Sequence, residues 1–467
     1  MQVITHWFNL ISGWVWGPVM LVLLVGTGLF YTIRLGGLQF RLLPRALKLA
    51  FTRQKESNAP GDITQFQALM TALAGTIGTG NIAGVATAIV LGGPGAVFWM
   101  WLSALVGMAT KYAEAYLAVY FRRRDANGNM SGGPMYYIEH GLGLKSLAVM
   151  FAVCGALAAL GTGSSVQSNS VAQALNNTLG FPGWATGLIL TFVTGLVLLG
   201  GIRSIAKVAS LIVPVMAVIY LLGGLAIILL NLDQVWPTVS LIVSDAFSGQ
   251  AIAGGAIGLA IRYGVARGVF SNEAGIGTAP IAAAAAKTNR PEEQALVSMT
   301  GTFLDTIVVC SITGIVLVMG NQYTAGITGA ALTSNSFEAL LPGVGSWVVT
   351  IGLIFFAYST ILGWSYYGEK CAAYLFGDKA VVPYRILYTS FVMLGTLISL
   401  DLVWAAADVF NGLMAFPNLV GLLLLSGIVV HKKLPAPLSA TDGARDGAPE
   451  APGEPSPALS PSQPLRQ

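Results

Sequence analysis

GTIGTGN at residues 75–81 and GVFSNEAGIG at residues 268–277 are the two stretches that decide the fold of this chain. Each interrupts a long apolar segment with glycine, hydroxyl or amide residues. Within a bilayer, backbone can leave its helix only where protein encloses it or it lines a cavity, because lipid satisfies no peptide hydrogen bonds. Two such interruptions, at corresponding places in successive halves of a chain, indicate a binding cavity between them.

The composition is that of a polytopic membrane protein. Of the 467 residues, 55% are hydrophobic and 9% are charged, and long apolar stretches recur along the chain. The net charge of +4 is small, and the basic residues lie in short clusters beside apolar stretches, which argues against nucleic acid as a partner. No Lys or Arg precedes the first apolar run, so a signal peptide is not indicated.

Hydropathy predicts an all-α protein with eleven transmembrane helices. A first helix near residues 14–33 precedes ten more, the last ending near Val430. The ten are predicted to begin near Ile63, Gly95, Leu147, Trp184, Ser210, Ile252, Gln294, Trp347, Val381 and Ala406. Lys and Arg cluster in alternate loops, which the positive-inside rule places in the cytoplasm. We therefore expect a multi-pass protein of the cell (inner) membrane, with its N-terminus outside and its C-terminus inside.

The predicted spans divide the chain into four segments. Residues 1–62 hold the N-terminal transmembrane helix and a basic cytoplasmic loop, residues 63–251 and 252–431 hold five helices each, and residues 432–467 form a disordered cytoplasmic tail. Because five is odd, the second set of five helices runs opposite to the first. The two sets are therefore predicted to be inverted repeats, on the basis of length, orientation and the matched interruptions.

The first interruption favours an unwound helix. Three glycines lie in six positions, and each lowers helix stability by about 1 kcal/mol relative to alanine. Unwound backbone offers carbonyls to a hard cation and N–H groups to a carboxylate, and Thr76, Thr79 and Asn81 add neutral oxygens. The alternative is close helix packing through small residues, which the amide of Asn81 makes less favourable.

The second interruption places Phe270, Ser271, Asn272 and Glu273 near mid-membrane. Buried polar groups there need partners, and either of two arginines, Arg262 or Arg267, is expected to form an ion pair with Glu273. Phe270 is equally consistent with a core position and with a lid over a small ligand.

Four further sites carry polar groups inside apolar spans. Gln167 can donate and accept within a cavity, whereas the serines and threonines around it are expected to bond to their own helix. Ser359 and Thr360 could complete a sodium site with carbonyls of the first interruption, or serve packing. Lys111 and Glu114 are predicted either to form an internal pair or to anchor the cytoplasmic end of their helix. For Asp305, an inter-helix hydrogen bond is favoured over a role in proton coupling.

The cysteines Cys154, Cys310 and Cys371 are expected to be buried and free.

Five motifs resemble those of the alanine or glycine:cation symporter family, also called the sodium:alanine symporters. They are GTIGTGNIAGVATAI (residues 75–89), GGPGAVFWMWLSALVGMATKYAE (92–114), GGPMYYIEHGLG (132–143), VQSNSVA (166–172) and RGVFSNEAGIGTAP (267–280). The resemblance covers nearly all of the chain except its Pro-rich tail. It implies a LeuT-like (APC-type) fold, with one helix before a 5+5 inverted repeat, and sodium-driven uptake of small neutral amino acids.

The resemblance also implies the ligands. The substrate carboxylate is expected at the amides of Gly78, Thr79 and Gly80, with Thr76 beside them. The substrate ammonium is expected at Gln167 and at carbonyls of Phe270, Ser271 and Asn272. One sodium is expected at Ala74, Ile77, Ser359 and Thr360, and a second at Thr76, Asn81 and Ser271.

The sequence therefore predicts a secondary active symporter of alanine or glycine with sodium, working by alternating access in a lipid bilayer. Protons are the alternative coupling ion. An ion channel is less favoured because no symmetric pore-lining ring is present, and an enzyme because no acid, base and nucleophile set lies at one depth. No cofactor other than the coupling ion, no nucleic acid and no required protein partner is expected.

Overall fold

The computed structural model describes residues 2–52, 59–247, 256–398 and 400–431, almost entirely as helix. The predicted tail and the predicted boundary between the two halves lie outside these residues. Up to the first interruption the helices are Gln2–Val15, Pro18–Arg34, Leu38–Phe51 and Gln65–Thr76. Up to the second they are Val85–Gly92, Ala96–Tyr120, Pro134–Leu142, Lys145–Ala158, Val166–Leu179, Gly183–Leu199, Gly201–Leu230, Leu232–Ala246 and Ala256–Asn272.

After the second interruption the helices are Ala279–Ala284, Pro291–Thr302, Ser311–Gly320, Gly329–Leu340, Gly345–Phe376, Val381–Gly395, Leu400–Leu424 and Ser426–His431. In the described ranges three segments are π-helical, namely Gly80–Gly84, Ala159–Ser165 and Phe303–Cys310, and Asp378–Ala380 is a 3₁₀ turn. The short strands Arg123–Arg124 and Met130–Ser131 pair antiparallel.

Several helices are long and apolar enough to cross a bilayer, so the chain is a multi-pass membrane protein. Within the described residues five qualify individually, namely Lys145–Leu179, Gly201–Leu230, Pro291–Gly320, Gly345–Phe376 and Trp404–Leu424. Two bent pairs qualify together: Pro18–Arg34 with Leu38–Phe51, and Gln65–Thr76 with Gly80–Gly92. Most predicted starts lie within a few residues of a helix start, although the helix expected near Ser210 begins at Gly201. The count of eleven spans and the inverted repeats stay predictions.

The sequence predicts a basic loop after the first span. In the structure this segment contains the helix Leu38–Phe51. Gly36 and Gly37, with φ of 62° and 66°, turn the chain so that this helix is bent by 83° from Pro18–Arg34. Its buried face is short, comprising Leu38, Gln39, Ala46 and Ala50. A hydropathy window wide enough to detect a membrane span averages this short buried face with the neighbouring charges, and the helix is therefore not detected.

Both interruptions break their helices. The first broken helix, Gln65–Thr76 followed by Gly80–Gly92, is bent by 51°. The second broken helix, Ala256–Asn272 followed by Ala279–Ala284, is interrupted where Glu273, Gly275 and Gly277 have φ of 56°, 89° and 94°. These positive values carry the chain out of the helical conformation, and glycine adopts them without steric cost.

A parallel bridge joins the two broken helices at one end. Ile63, just before the first, pairs with Ala286, just after the second. Lys287 N–H donates to the Ile63 carbonyl at 2.7 Å, and Asp62 N–H donates to the Ala285 carbonyl at 2.8 Å. These bonds tie together the segments that lead into and out of the broken helices.

Arg122 holds the same end together. Its Nη1 donates to the carbonyls of Ala284 and Ala286 at 3.0 and 2.7 Å, and its Nη2 donates to those of Pro60 and Thr288 at 3.0 and 2.5 Å. Burial lowers the pKa of the Arg122 guanidinium to about 10, which leaves it charged at neutral pH. One cation therefore links the helix Ala96–Tyr120 to both broken helices.

We expect Arg122→Gln to lower the free energy of unfolding by about 1.5–3 kcal/mol, because it removes hydrogen bonds from a charged donor to four carbonyls. Arg123→Gln, at the exposed neighbouring residue, is the matched control and should change it by less than about 0.5 kcal/mol. Thermal unfolding in detergent compares the two. Equal midpoints for both variants would show that Arg122 does not hold this end together.

Candidate functional site

The peptide groups released by the first break are held by two amide side chains. The helix ends at Thr76, and Ile77 adopts an extended conformation. Gly78 N–H donates to Asn81 Oδ1 at 2.9 Å, and Thr79 N–H donates to Gln167 Oε1 at 3.3 Å. The structure thus brings four predicted site residues together, namely Gln167, Gly78, Thr79 and Asn81. Two of the N–H groups expected to bind a substrate carboxylate donate instead to side-chain amide oxygens.

Four neutral oxygens converge on the other side of this break. Thr360 Oγ1 lies 3.0 Å from the Ala74 carbonyl and 3.3 Å from that of Ile77, and Ser359 Oγ lies 3.5 Å from the Ile77 carbonyl. All four residues are buried. A hard cation with oxygen ligands at about 2.3–2.6 Å places neighbouring oxygens roughly 3.3–3.7 Å apart. The set therefore has both the chemistry and nearly the spacing of a site for a hard cation.

Small residues allow the helix that carries Ser359 and Thr360 to pack closely against the first broken helix. A Cβ added to Gly363 would lie 2.6 Å from Gly75 N, so the long helix Gly345–Phe376 touches the first broken helix backbone to backbone. Trp364 Nε1 donates to the Gly75 carbonyl at 3.2 Å. Since Thr360 lies one turn before Gly363, this contact brings the hydroxyl to the broken helix.

The second break is held open by its own side chains. Asn272 Oδ1 accepts from Ala274 N–H at 2.9 Å, and Asn272 Nδ2 donates to Thr306 Oγ1 at 3.0 Å. Thr278 Oγ1 donates to Glu273 Oε2 at 2.5 Å. Asn272 and Glu273 therefore shape the break.

The expected ion pair of Glu273 with Arg262 or Arg267 was wrong. Arg267 instead pairs with Asp408 at 3.5 Å, and Arg262 lies over the ring of Tyr263. Because the helix is continuous to Asn272, six residues turn Arg267 to a different face from Glu273, and eleven residues set Arg262 about 16 Å away along the axis.

Asp305 connects the two breaks. Its Oδ1 accepts from Asn81 Nδ2 at 2.7 Å, and its Oδ2 accepts from the Ser271 hydroxyl at 2.9 Å and from that of Thr306 at 2.7 Å. The predicted inter-helix hydrogen bond is confirmed. Asn81 and Ser271, both expected at a second cation site, thus meet at a carboxylate. Thr76, predicted with them, instead donates to the Leu73 carbonyl at 3.3 Å.

A second buried carboxylate holds the backbone of the second break. Glu114 Oε1 accepts from Gly275 N–H at 3.0 Å and from Asn418 Nδ2 at 2.7 Å. Asn418 Nδ2 also donates to the Gly275 carbonyl at 2.9 Å, and the predicted pair of Lys111 with Glu114 is confirmed at 3.9 Å. Sequence reasoning missed Asn418, whose signal was an amide inside an otherwise apolar span.

Phe270 lies between the first break and an aromatic and charged layer. A Cβ on Gly80 would be 3.4 Å from the Phe270 ring, which lies 5.6 Å from the Trp404 ring. The Arg267 guanidinium stands over both rings, at 5.6 and 5.9 Å. Phe270 therefore separates the first break from the layer formed by Trp404 and Arg267.

A cavity of about 980 Å³ lies on the far side of that layer. Its lining includes Arg267, Trp404 and Asp408, but neither Gly80 nor Phe270. Thr79 Oγ1, in contrast, is fully buried at the break and makes no hydrogen bond among the described residues. The cavity is thus separate from the predicted site, which is enclosed and contains an unsatisfied hydroxyl.

Broken helices that cross at enclosed polar positions define a membrane transporter with a LeuT-like fold. Two solved structures share it: a crystal structure of MhsT with L-phenylalanine (TM-score 0.56, 13% identity, 79% of this chain and 98% of that one) and a substrate-bound, outward-open Na⁺-coupled sialic acid symporter (TM-score 0.54, 13% identity, 88% of this chain and 86% of that one).

The family model of the sodium:alanine symporters matches residues 1–434, and the chain belongs to that family. The sodium/alanine symporter AgcS of Methanococcus maripaludis is 59% identical over 433 residues, which are 91% of this chain and 95% of that protein. The expectation of a transporter rather than an enzyme is confirmed by this membership.

We expect Gly80→Leu to abolish amino-acid binding while the protein remains folded, because Ser271 Cα and the Phe270 ring already lie 3.3 and 3.4 Å from an added Cβ. Gly26→Leu, in the helix Pro18–Arg34 and outside the cavity lining, is the matched control, since an added Cβ there meets nothing within 4 Å. Equilibrium binding of labelled alanine in detergent measures both. Wild-type binding by the Gly80 variant would remove the first break from the substrate site.

Proposed function

We propose that this protein is a secondary active symporter that imports a small neutral amino acid, alanine or glycine, together with sodium. The observation that carries the proposal is the convergence of the Ala74 and Ile77 carbonyls with the Ser359 and Thr360 hydroxyls across the first break. Uncharged oxygens suit a monovalent hard cation, whose charge then remains available to attract a substrate carboxylate.

The amino acid would lie on the opposite side of the unwound backbone. Its carboxylate would replace the amide oxygens of Asn81 and Gln167 at the N–H groups of Gly78 and Thr79, beside Gly80. Thr79 Oγ1, which has no hydrogen-bond partner in the part of the chain that the structure describes, would then gain one. The released Gln167 amide would turn toward the ammonium, together with carbonyls from residues 270–272.

Size selection would follow from the same contacts. A Cβ added at Gly80 would lie 3.3 Å from Ser271 Cα and 3.4 Å from the Phe270 ring, so only a short side chain would be accommodated between the two broken helices. Phe270, backed by Trp404, would close over it. This arrangement favours alanine and glycine over larger amino acids.

A second sodium would be bound by Asn81 and Ser271 with the carboxylate of Asp305, and Thr76 would have to rotate from the Leu73 carbonyl to join it. Asp305 is also the observation that favours the alternative, a proton-coupled symporter, because a buried carboxylate between the two breaks can carry a proton as well as bind a cation.

Transport would proceed by alternating access at the inner membrane, with the N-terminus outside and the C-terminus in the cytoplasm. The 980 Å³ cavity would be the outer entrance, and the end tied by Arg122 would be the closed inner side. Because sodium would join the first broken helix to the helix Gly345–Phe376, ion occupancy would bias the relative position of these two elements.

Counterflow in proteoliposomes tests the coupling. Vesicles loaded with unlabelled alanine should accumulate labelled alanine in sodium medium and should not do so when potassium or choline replaces sodium at constant pH. Equal counterflow in all three media would remove sodium from the mechanism. Accumulation that followed an imposed pH gradient in choline medium would establish protons as the coupling ion.

We expect Thr360→Val to raise the sodium concentration needed for half-maximal alanine binding by at least about tenfold, equivalent to about 1.4 kcal/mol, because valine keeps the shape and removes one ligand. Ser365→Ala is the matched control on the same helix, since among the described residues the Ser365 hydroxyl donates only to the nearby Leu362 carbonyl. A sodium titration of alanine binding gives both values. An unchanged midpoint in the Thr360 variant would contradict the assigned cation site.

A further inference from the structure

The helix Leu38–Phe51 takes no part in the proposed transport site. It follows the apolar helix Pro18–Arg34 after a three-residue turn and is bent from it by 83°. When Pro18–Arg34 crosses the bilayer, the next helix must run nearly parallel to the membrane surface, at the depth where Pro18–Arg34 ends.

One face of this helix is exposed and combines aromatic with basic residues. At roughly 100° per residue, Phe40, Arg41, Pro44, Lys48 and Phe51 fall within an arc of about 100°. All five are exposed, and the exposed fractions of Phe40 and Phe51 are 60% and 57%. The residues packed against the protein, including Leu38, Ala46 and Ala50, lie on the opposite arc.

The charges on this helix and on the segment before it are of one sign. Arg34, Arg41 and Lys48 are exposed, and no acidic residue occurs in the sequence before Glu56. An amphipathic helix with basic and large apolar residues on one surface fits the boundary between headgroups and acyl chains, where aromatic side chains insert and cations meet lipid phosphates.

We propose that this face, defined by Phe40, Arg41, Pro44, Lys48 and Phe51, binds the surface of an anionic phospholipid leaflet. Its position directly after the apolar helix Pro18–Arg34, which we place across the bilayer, favours lipid over a protein partner, because the bilayer then lies at that depth. Phe51 also contacts Phe66 of the first broken helix, with ring centroids 6.3 Å apart. Lipid bound to the face would therefore stabilise the inner half of that broken helix.

Thermal unfolding in detergent tests the charge requirement. Adding phosphatidylglycerol should raise the midpoint of the full-length protein more than adding phosphatidylcholine does. The double variant Arg41→Gln/Lys48→Gln should lose at least half of this difference, and Arg123→Gln/Arg124→Gln, two exposed residues of the strand pair, should keep it. A full difference in the first variant, or an equal loss in the second, would overturn the proposal.

Depth measurements test the location without altering any charge. The three native cysteines are buried, so Phe40→Cys and Phe51→Cys offer single sites for a nitroxide label in phosphatidylglycerol-containing bilayers. Collisions with apolar oxygen should exceed those with a water-soluble nickel chelate at both sites. The reverse ratio would place the face in water, as a protein-docking face would be in a bilayer without partners, and would overturn the proposal.

Discussion

Peptide groups released from a helix inside a bilayer must find partners within the protein, and the structure depends on how this one supplies them. Asn81 and Gln167 accept from the first break, while Glu114 and Asn418 hold the second. Charged lipid-facing groups would be too costly for this purpose, so the partners come from helices packed around the breaks. Polar side chains that an apolar core would not otherwise tolerate are therefore concentrated here.

Asp305 makes one unit of the two breaks. It lies in the π-helical segment Phe303–Cys310 and accepts from Asn81 on one side and Ser271 on the other. The segment with Asn81 is also π-helical, and a third π-helical segment ends just before Gln167. Such segments are frequent at functional sites. A change in the hydrogen bonds of either break thus reaches the other through a single carboxylate.

Much of this arrangement could be predicted from the sequence because glycines and hydroxyls inside apolar spans are local signals. The breaks, Gln167 and the Ser359–Thr360 pair were found in this way, and the family followed from long motifs. What the sequence could not supply is which helices face each other. Arg262 or Arg267 was expected to reach Glu273, but Arg267 pairs with Asp408 on a helix far away in sequence. The amide of Asn418 is visible in an apolar span, but nothing near it in the sequence indicates that it binds Glu114. The basic charges of residues 38–51 similarly obscured a helix.

We propose that unwound backbone at the first break, rather than a charged side chain, binds both the cation and the amino acid. A density map of the protein in sodium and alanine is the most direct measurement. We expect a cation about 2.3–2.6 Å from the carbonyls of Ala74 and Ile77 and from Thr360 Oγ1, with the alanine carboxylate at the Gly78 and Thr79 amides. Alanine bound only in the 980 Å³ cavity, with the first break closed into continuous helix, would contradict it.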